Sequence, residues 1–71
     1  MKYKLAERLK ELRAEKGLSQ VALAEAIGVD PGFIGHIETS KVFVSVDTLV
    51  LLADVFEVST DYLLGREGFG K

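Results

Sequence analysis

The chain has few side chains that could perform acid–base or nucleophilic chemistry. Its 71 residues include one histidine, His36, and no cysteine, which excludes a thiolate nucleophile, a disulfide framework and a thiolate metal site. One histidine alone supplies too few ligands for zinc. The sequence contains no recognisable Ser-His-Asp triad motif and no phosphate-binding loop, and His36 has no evident nucleophile partner. We therefore expect no metal, no cofactor and no enzymatic activity.

Charge is distributed unevenly along the sequence. Six of the nine basic residues lie in the first sixteen positions, where they alternate with Glu7, Glu11 and Glu15. This spacing predicts a solvated helix face crossed by salt bridges. Between residues 17 and 65 a single base, Lys41, stands against seven acids, a net charge of −6. That balance is unfavourable for a nucleic-acid surface.

The apolar segments are too short to cross a membrane. The longest uninterrupted apolar run is Leu49-Val50-Leu51-Leu52-Ala53, whereas a spanning helix needs about 20 residues. The basic N-terminus is not followed by the apolar segment that marks export. We expect no membrane association and a cytoplasmic protein.

Helix start and stop signals divide the chain into five short helices. The first three are expected over about residues 2–16, 20–27 and 31–39; the fourth ends near residue 56 and the fifth just before Gly65. The expected N-caps are Ser19, Asp30, either Ser45 or Asp47, and Ser59, and the expected stops are Gly17, Gly28 and Gly65. Pro31 suits the first position of the third helix, where its missing N–H is tolerated.

Apolar residues at helical spacing predict one core. The residues expected to face inward are Leu5, Leu9, Leu12, Leu23, Ala24, Ile27, Ile34, Ile37, Leu49, Leu52, Ala53 and Phe56. The chain is therefore predicted to be a compact all-α bundle. We expect one domain over residues 1–67 and a frayed tail over residues 68–71.

The second and third helices are joined by the very short connection Gly28-Val29-Asp30, the spacing of a helix-turn-helix. Here the chain resembles the Cro/CI-type (XRE) helix-turn-helix family from Lys4 to about Glu67. The matching residues are Leu18-Ser19-Gln20, Leu23-Ala24, Ile27-Gly28-Val29, Ile34, Ile37-Glu38, Lys41, Asp47-Thr48-Leu49, Leu52-Ala53-Asp54 and Val58-Ser59-Thr60-Asp61-Tyr62-Leu63-Leu64-Gly65. The resemblance implies a five-helix lambda-repressor-like bundle. It also implies that Val46 is a core residue, because it stands where the family has a leucine.

The resemblance also implies operator binding as a dimer, with the third helix in the major groove. Carried over position by position, base reading falls on Pro31, Gly32, Gly35 and His36. Phosphate contacts fall on Gln20, Thr39, Lys41, Val42 and Phe43.

Several of these positions lack the groups that DNA recognition uses. Base edges are read by Arg, Asn, Gln or hydroxyl side chains, yet proline and glycine offer none, and His36 can make one contact. Phe33 could touch a thymine methyl. The family loop usually resembles Asn-Gly-Lys-Arg-Asn-Pro-Ser, whereas residues 39–45 read Thr-Ser-Lys-Val-Phe-Val-Ser. We expect DNA binding, if retained, to be weak.

These departures lead to a first hypothesis, in which the DNA-reading face has become an apolar surface for a protein partner. Leu51 lies about 200° around the fourth helix from Leu49, on its outer face. The expected interface residues are Phe33, Val42, Phe43, Val44 and Leu51, with His36 and Lys41 at the rim. Such a conversion could have arisen by engineering.

Other interpretations stay open. Phe33 could be partial core, the segment Val42–Val44 could fold back beneath the fourth helix, and Leu51 could be an ordinary surface leucine. The same patch could serve self-association. The alternative function is a transcriptional regulator that reads DNA through shape and a few contacts, at Gln20, Pro31, Gly32, Gly35, His36, Thr39 and Lys41.

Overall fold

The computed structural model of the chain describes residues 3–40 and 44–66, and all five elements within them are helices. They are α1 (Leu5–Lys16), α2 (Gln20–Ile27), α3 (Pro31–Ser40), α4 (Val46–Phe56) and α5 (Thr60–Leu64). The expected all-α, five-helix architecture is confirmed. The expected tail over residues 68–71 lies outside the described residues.

Three helices begin at a serine whose side chain satisfies a free backbone N–H. The hydroxyls of Ser19, Ser45 and Ser59 accept hydrogen bonds of 3.0–3.1 Å from the N–H groups three residues further on, which is the N-cap geometry. Ser45, rather than Asp47, therefore caps α4. At α3 the Asp30 carboxylate accepts a 2.9 Å bond from the Gly32 N–H.

Left-handed residues end four of the helices. Gly17, Gly28 and Gly65 follow α1, α2 and α5 with φ between 67° and 79°, as expected for glycine stops. At position 65 the available space also excludes a side chain, because a Cβ there would lie 2.9 Å from the Cβ of Lys4. The stop of α4 differs: Glu57 takes φ 57°, a conformation that is unfavourable for a residue with a side chain.

The helices pack α2 on α3, α1 on α3 and α5, and α4 on α2 and α5. Their common core contains Leu5, Leu9, Leu12, Leu23, Ala24, Ile27, Ile34, Ile37, Leu52, Ala53, Phe56 and Leu63. The expected core is thus largely confirmed, with Leu49 half-buried. The prediction that Val46 is a core residue is wrong, since its side chain is 73% exposed. It is the first residue of α4, a full turn before the segment that packs on the core.

A buried ion pair joins α1 to α3. The guanidinium of Arg13 donates to Glu38 through Nε (2.7 Å to Oε2) and Nη2 (3.1 Å to Oε1), and through Nη1 to the carbonyl of Leu18 at 2.8 Å. The Glu38 side chain is 2% exposed and that of Arg13 20%. The charge pattern of α1 predicts a solvated face in which Arg13 pairs with acids of its own helix, whereas in the structure Arg13 reaches across to α3.

The ionised form of Glu38 is stabilised by this arrangement. Burial by itself would raise the carboxyl pKa, but hydrogen bonds from Arg13 and Gln20 and the positive charge of Arg13 outweigh it, so that the pKa of Glu38 is lowered. The hydrogen bond to Glu38 correspondingly raises the pKa of Arg13.

Replacing Glu57 with glycine is expected to raise the free energy of unfolding by about 1 kcal/mol, because glycine adopts the left-handed conformation without steric cost. Urea denaturation followed by circular dichroism measures the change. Glu57→Ala is the matched control, since it removes the charge but keeps a Cβ. An equal gain from the alanine variant would show that charge, and not backbone conformation, limits stability at the end of α4.

Replacing Glu38 with glutamine is expected to lower the free energy of unfolding at pH 7 by roughly 2 kcal/mol, the size of a hydrogen bond to a charged group. Because the pKa of Glu38 is lower in the folded than in the unfolded chain, its contribution is complete above the ordinary value of 4.5. That contribution disappears as the pH falls through the folded pKa.

The difference between wild type and Glu38→Gln should therefore shrink as denaturation curves are measured from pH 7 down to pH 3. Glu25→Gln, at an exposed position of α2, is the control and should change stability little at either pH. A difference that stayed constant across this range would contradict the assigned role of the Glu38 charge.

Candidate nucleic-acid interface

The turn between α2 and α3 is held by backbone hydrogen bonds. The N–H groups of Gly28 and Val29 both donate to the carbonyl of Ala24, at 2.8 and 3.0 Å, and the N–H of Phe33 donates to the carbonyl of Asp30 at 2.9 Å. These bonds end α2 and start α3 within three residues. The two helices are therefore set at a fixed angle, as a helix-turn-helix requires.

The turn directs one face of α3 into the core and leaves the opposite face open. Ile34, Ile37 and Glu38 are buried, whereas Pro31, Gly32, His36 and Thr39 are exposed. Three of the four base-reading positions that the resemblance implies thus lie on the open face. The fourth, Gly35, is half-buried at the edge of α3 next to α2.

Hydrogen-bonding groups on this open face are sparse. The imidazole of His36 is exposed, and the hydroxyl of Thr39 donates to the carbonyl of Gly35 at 2.9 Å. Pro31 and Gly32 present only ring or backbone atoms. The part of α3 that could contact bases therefore carries few hydrogen-bonding side chains.

Gln20, at the first position of α2, contributes a polar group to the edge of this face. Its Nε2 donates to Glu38 Oε1 at 3.1 Å, and its carboxamide lies over Gly35, where an added Cβ would be 3.4 Å from Gln20 Oε1. The resemblance implies a phosphate contact for Gln20, and this link to Glu38 was not predicted from the sequence. The only signal available was the acid at position 38, eighteen residues away.

The residues expected to form an apolar interface differ in how far they are exposed, among those that the structure describes. Phe33 and Val44 are half-buried and pack against the core, which favours the interpretation of both as added core. Leu51 lies on the outer face of α4 as predicted, 43% exposed. Lys41, Val42 and Phe43 lie outside the described residues.

Two further absences hold for the described part of the chain alone. Within residues 3–40 and 44–66 no three His, Cys, Asp or Glu side chains are grouped so as to hold a metal ion. Across the same ranges, none of the helices combines the length and apolar character needed to span a bilayer.

Comparison with known proteins finds relatives of this chain by sequence and by structure. ImmR of Bacillus subtilis (strain 168), an HTH-type transcriptional regulator, is 36% identical over 67 residues, covering 94% of this chain and 53% of its own. The restriction-modification controller protein C.AhdI from Aeromonas hydrophila superposes with a TM-score of 0.77 at 36% identity, covering 86% of this chain and 92% of its own.

A third similar protein was solved on a nucleic acid. SinR, a master regulator for biofilm formation in complex with DNA, superposes with a TM-score of 0.78 at 34% identity, covering 84% of this chain and 97% of its own. Several curated relatives are longer than this chain, which spans about half of their length, for example 53% of ImmR.

These relatives overturn the first functional hypothesis. A scaffold converted into an apolar protein-binding surface is wrong, because the similar proteins are named transcriptional regulators and one was solved in complex with DNA. Self-association through the same patch and an engineered origin find no support either. The error came from equating the loss of donors on α3 with the loss of DNA binding.

The family profile described as "Helix-turn-helix" matches residues 9–63, which include the α2–α3 turn and the whole of the core beyond Leu5. The five-helix architecture and the relatives described above agree with this match. This chain belongs to the Cro/CI-type helix-turn-helix family.

Proposed function

We propose that this chain is a sequence-specific DNA-binding module of a transcriptional regulator. The observation that carries the proposal is the open face of α3: Pro31, Gly32, His36 and Thr39 are exposed while the opposite face of the helix is buried. The similarity to SinR, solved in complex with DNA, supports a duplex as the ligand. Such a module would act in the cytoplasm and without catalysis.

In the proposed complex α3 lies in the major groove, where His36 and Thr39 offer the hydrogen-bonding side chains of the open face. The two residues are three positions apart and so lie on neighbouring turns of the same face. The absence of a side chain at Gly32, which is exposed, lets the helix backbone approach the base edges closely. Recognition would then depend on shape and thymine methyl contacts as well as on a few hydrogen bonds.

Electrostatic attraction contributes little to this binding. The guanidinium of Arg13, which reaches from α1 to α3, is already bound to Glu38. Since each phosphate neutralised by a cation contributes about one unit to the salt slope, we expect a slope of only about −1 to −2 for each chain.

The function is tested by selecting duplexes from a randomised library and titrating the selected sequence. Wild type should bind it in preference to scrambled duplex, and His36→Glu should weaken binding by about tenfold or more, because it places a negative charge on the open face. Fluorescence anisotropy across a range of salt concentrations measures the affinity and the slope.

Thr60→Glu is the matched control, because it adds the same charge to α5, which packs against α1 and α4. It should leave the affinity unchanged. Equal losses in both variants would indicate a general charge effect, and failure of wild type to select any sequence would contradict the proposed function.

A further inference from the structure

We infer that DNA binding by this chain is coupled to protonation of His36, so that the affinity for a duplex falls as the pH rises from 6 to 8. This inference rests on the proposed function and adds a pH-dependent regulation to it. It follows from the chemistry of the imidazole, its place on the open face of α3 and the charges of the helices packed against α3.

Histidine is the side chain whose charge ordinarily changes in this pH range. Perturbed cysteine thiolates can also titrate there, but the chain has no cysteine and a single histidine. Carboxylate, ammonium and guanidinium side chains keep their charge from pH 6 to pH 8. Among the side chains, His36 is therefore the one expected to make DNA binding depend on pH over this range.

The fold leaves the imidazole of His36 accessible to a ligand. The side chain is exposed on the open face of α3, while its neighbour Ile37 is buried on the opposite face. The sequence of α3 contains no lysine and no arginine, and the hydroxyl of Thr39 donates to a backbone carbonyl. A positive charge contributed by α3 to the open face must therefore come from a protonated His36.

The charged groups of the neighbouring helices do not take over this role. α3 packs against α1 and α2. From α1, Arg13 is bound to Glu38, and the charge of Lys10 acts on the same carboxylate. The charged residue of α2 is the exposed Glu25, and the carboxylate of Asp30 lies at the start of α3. The acids among these groups favour an imidazole that carries a proton.

A duplex favours the protonated imidazole further. Phosphate oxygens and the N7 and O6 atoms of guanine are all hydrogen-bond acceptors. An imidazolium donates from both ring nitrogens and a neutral imidazole from one, and the charge-assisted bond is the stronger. The contribution of His36 to binding is therefore complete at low pH, where the free chain is already protonated. It is lost as the pH rises and the bound imidazole releases its proton.

The test measures the affinity for the duplex selected by the wild type at pH 6, 7 and 8, by fluorescence anisotropy. Wild type should bind about fivefold more tightly at pH 6 than at pH 8 for each chain. His36→Gln, which forms hydrogen bonds but does not titrate, and His36→Lys, which stays charged, should both lose this dependence. Circular dichroism at each pH checks that all three proteins are folded.

Calorimetry measures the proton directly. When binding is repeated at pH 7 in buffers that differ in their enthalpy of ionisation, the dependence of the observed enthalpy on the buffer gives the number of protons taken up. Wild type should take up about half a proton for each chain, and His36→Gln should take up none. A merely structural role for His36 would leave proton uptake equal in the two proteins.

The outcomes distinguish this inference from the proposed function. If wild type binds its selected duplex equally well from pH 6 to pH 8, or if His36→Gln retains the full pH dependence, the coupling to His36 is wrong while sequence-specific binding stands. If wild type selects no sequence at any pH, both fail. If the pH dependence and the proton uptake both disappear in His36→Gln, the inference is supported.

Discussion

The pair formed by Arg13 and Glu38 is the constraint on which the orientation of α3 depends. Apolar packing of Ile34 and Ile37 attaches α3 to the core, but such contacts are non-directional and permit small rotations of the helix. The guanidinium-carboxylate bonds of 2.7 and 3.1 Å are directional. Because the Glu38 side chain is almost fully buried, leaving it without its partner would be far more costly than the bond itself is favourable.

The carboxylate of Glu38 links three helices by hydrogen bonds. Arg13 belongs to α1, Gln20 to α2 and Glu38 to α3, and both partners donate to Glu38. Arg13 also donates to the carbonyl of Leu18 in the link before α2. The start of α2 and the end of α3 are therefore positioned relative to each other by polar contacts, in the part of the molecule where the proposed DNA-binding face is built.

Much of the fold follows from local sequence signals. Serine caps, glycine stops and apolar spacing predicted all five helices and most of the core, since each signal acts within a few residues. Val46 and Glu57 departed from these rules. Val46 has the apolar character of a core residue but precedes the packed part of its helix, and Glu57 takes a conformation usually left to glycine because its N–H completes the end of α4.

The candidate site was harder to predict because its organising contacts join distant residues. Arg13 and Glu38 are 25 positions apart and Gln20 and Glu38 are 18 apart, so that helical spacing gives no sign of either bond. Considered by itself, α3 has two glycines and a proline at its base-reading positions, which suggests that DNA recognition has been lost. The structure adds the carboxamide of Gln20 to the edge of that surface. The chemistry of a helix-turn-helix face is therefore a property of two helices and their buried link, and counting donors along one helix underestimates it.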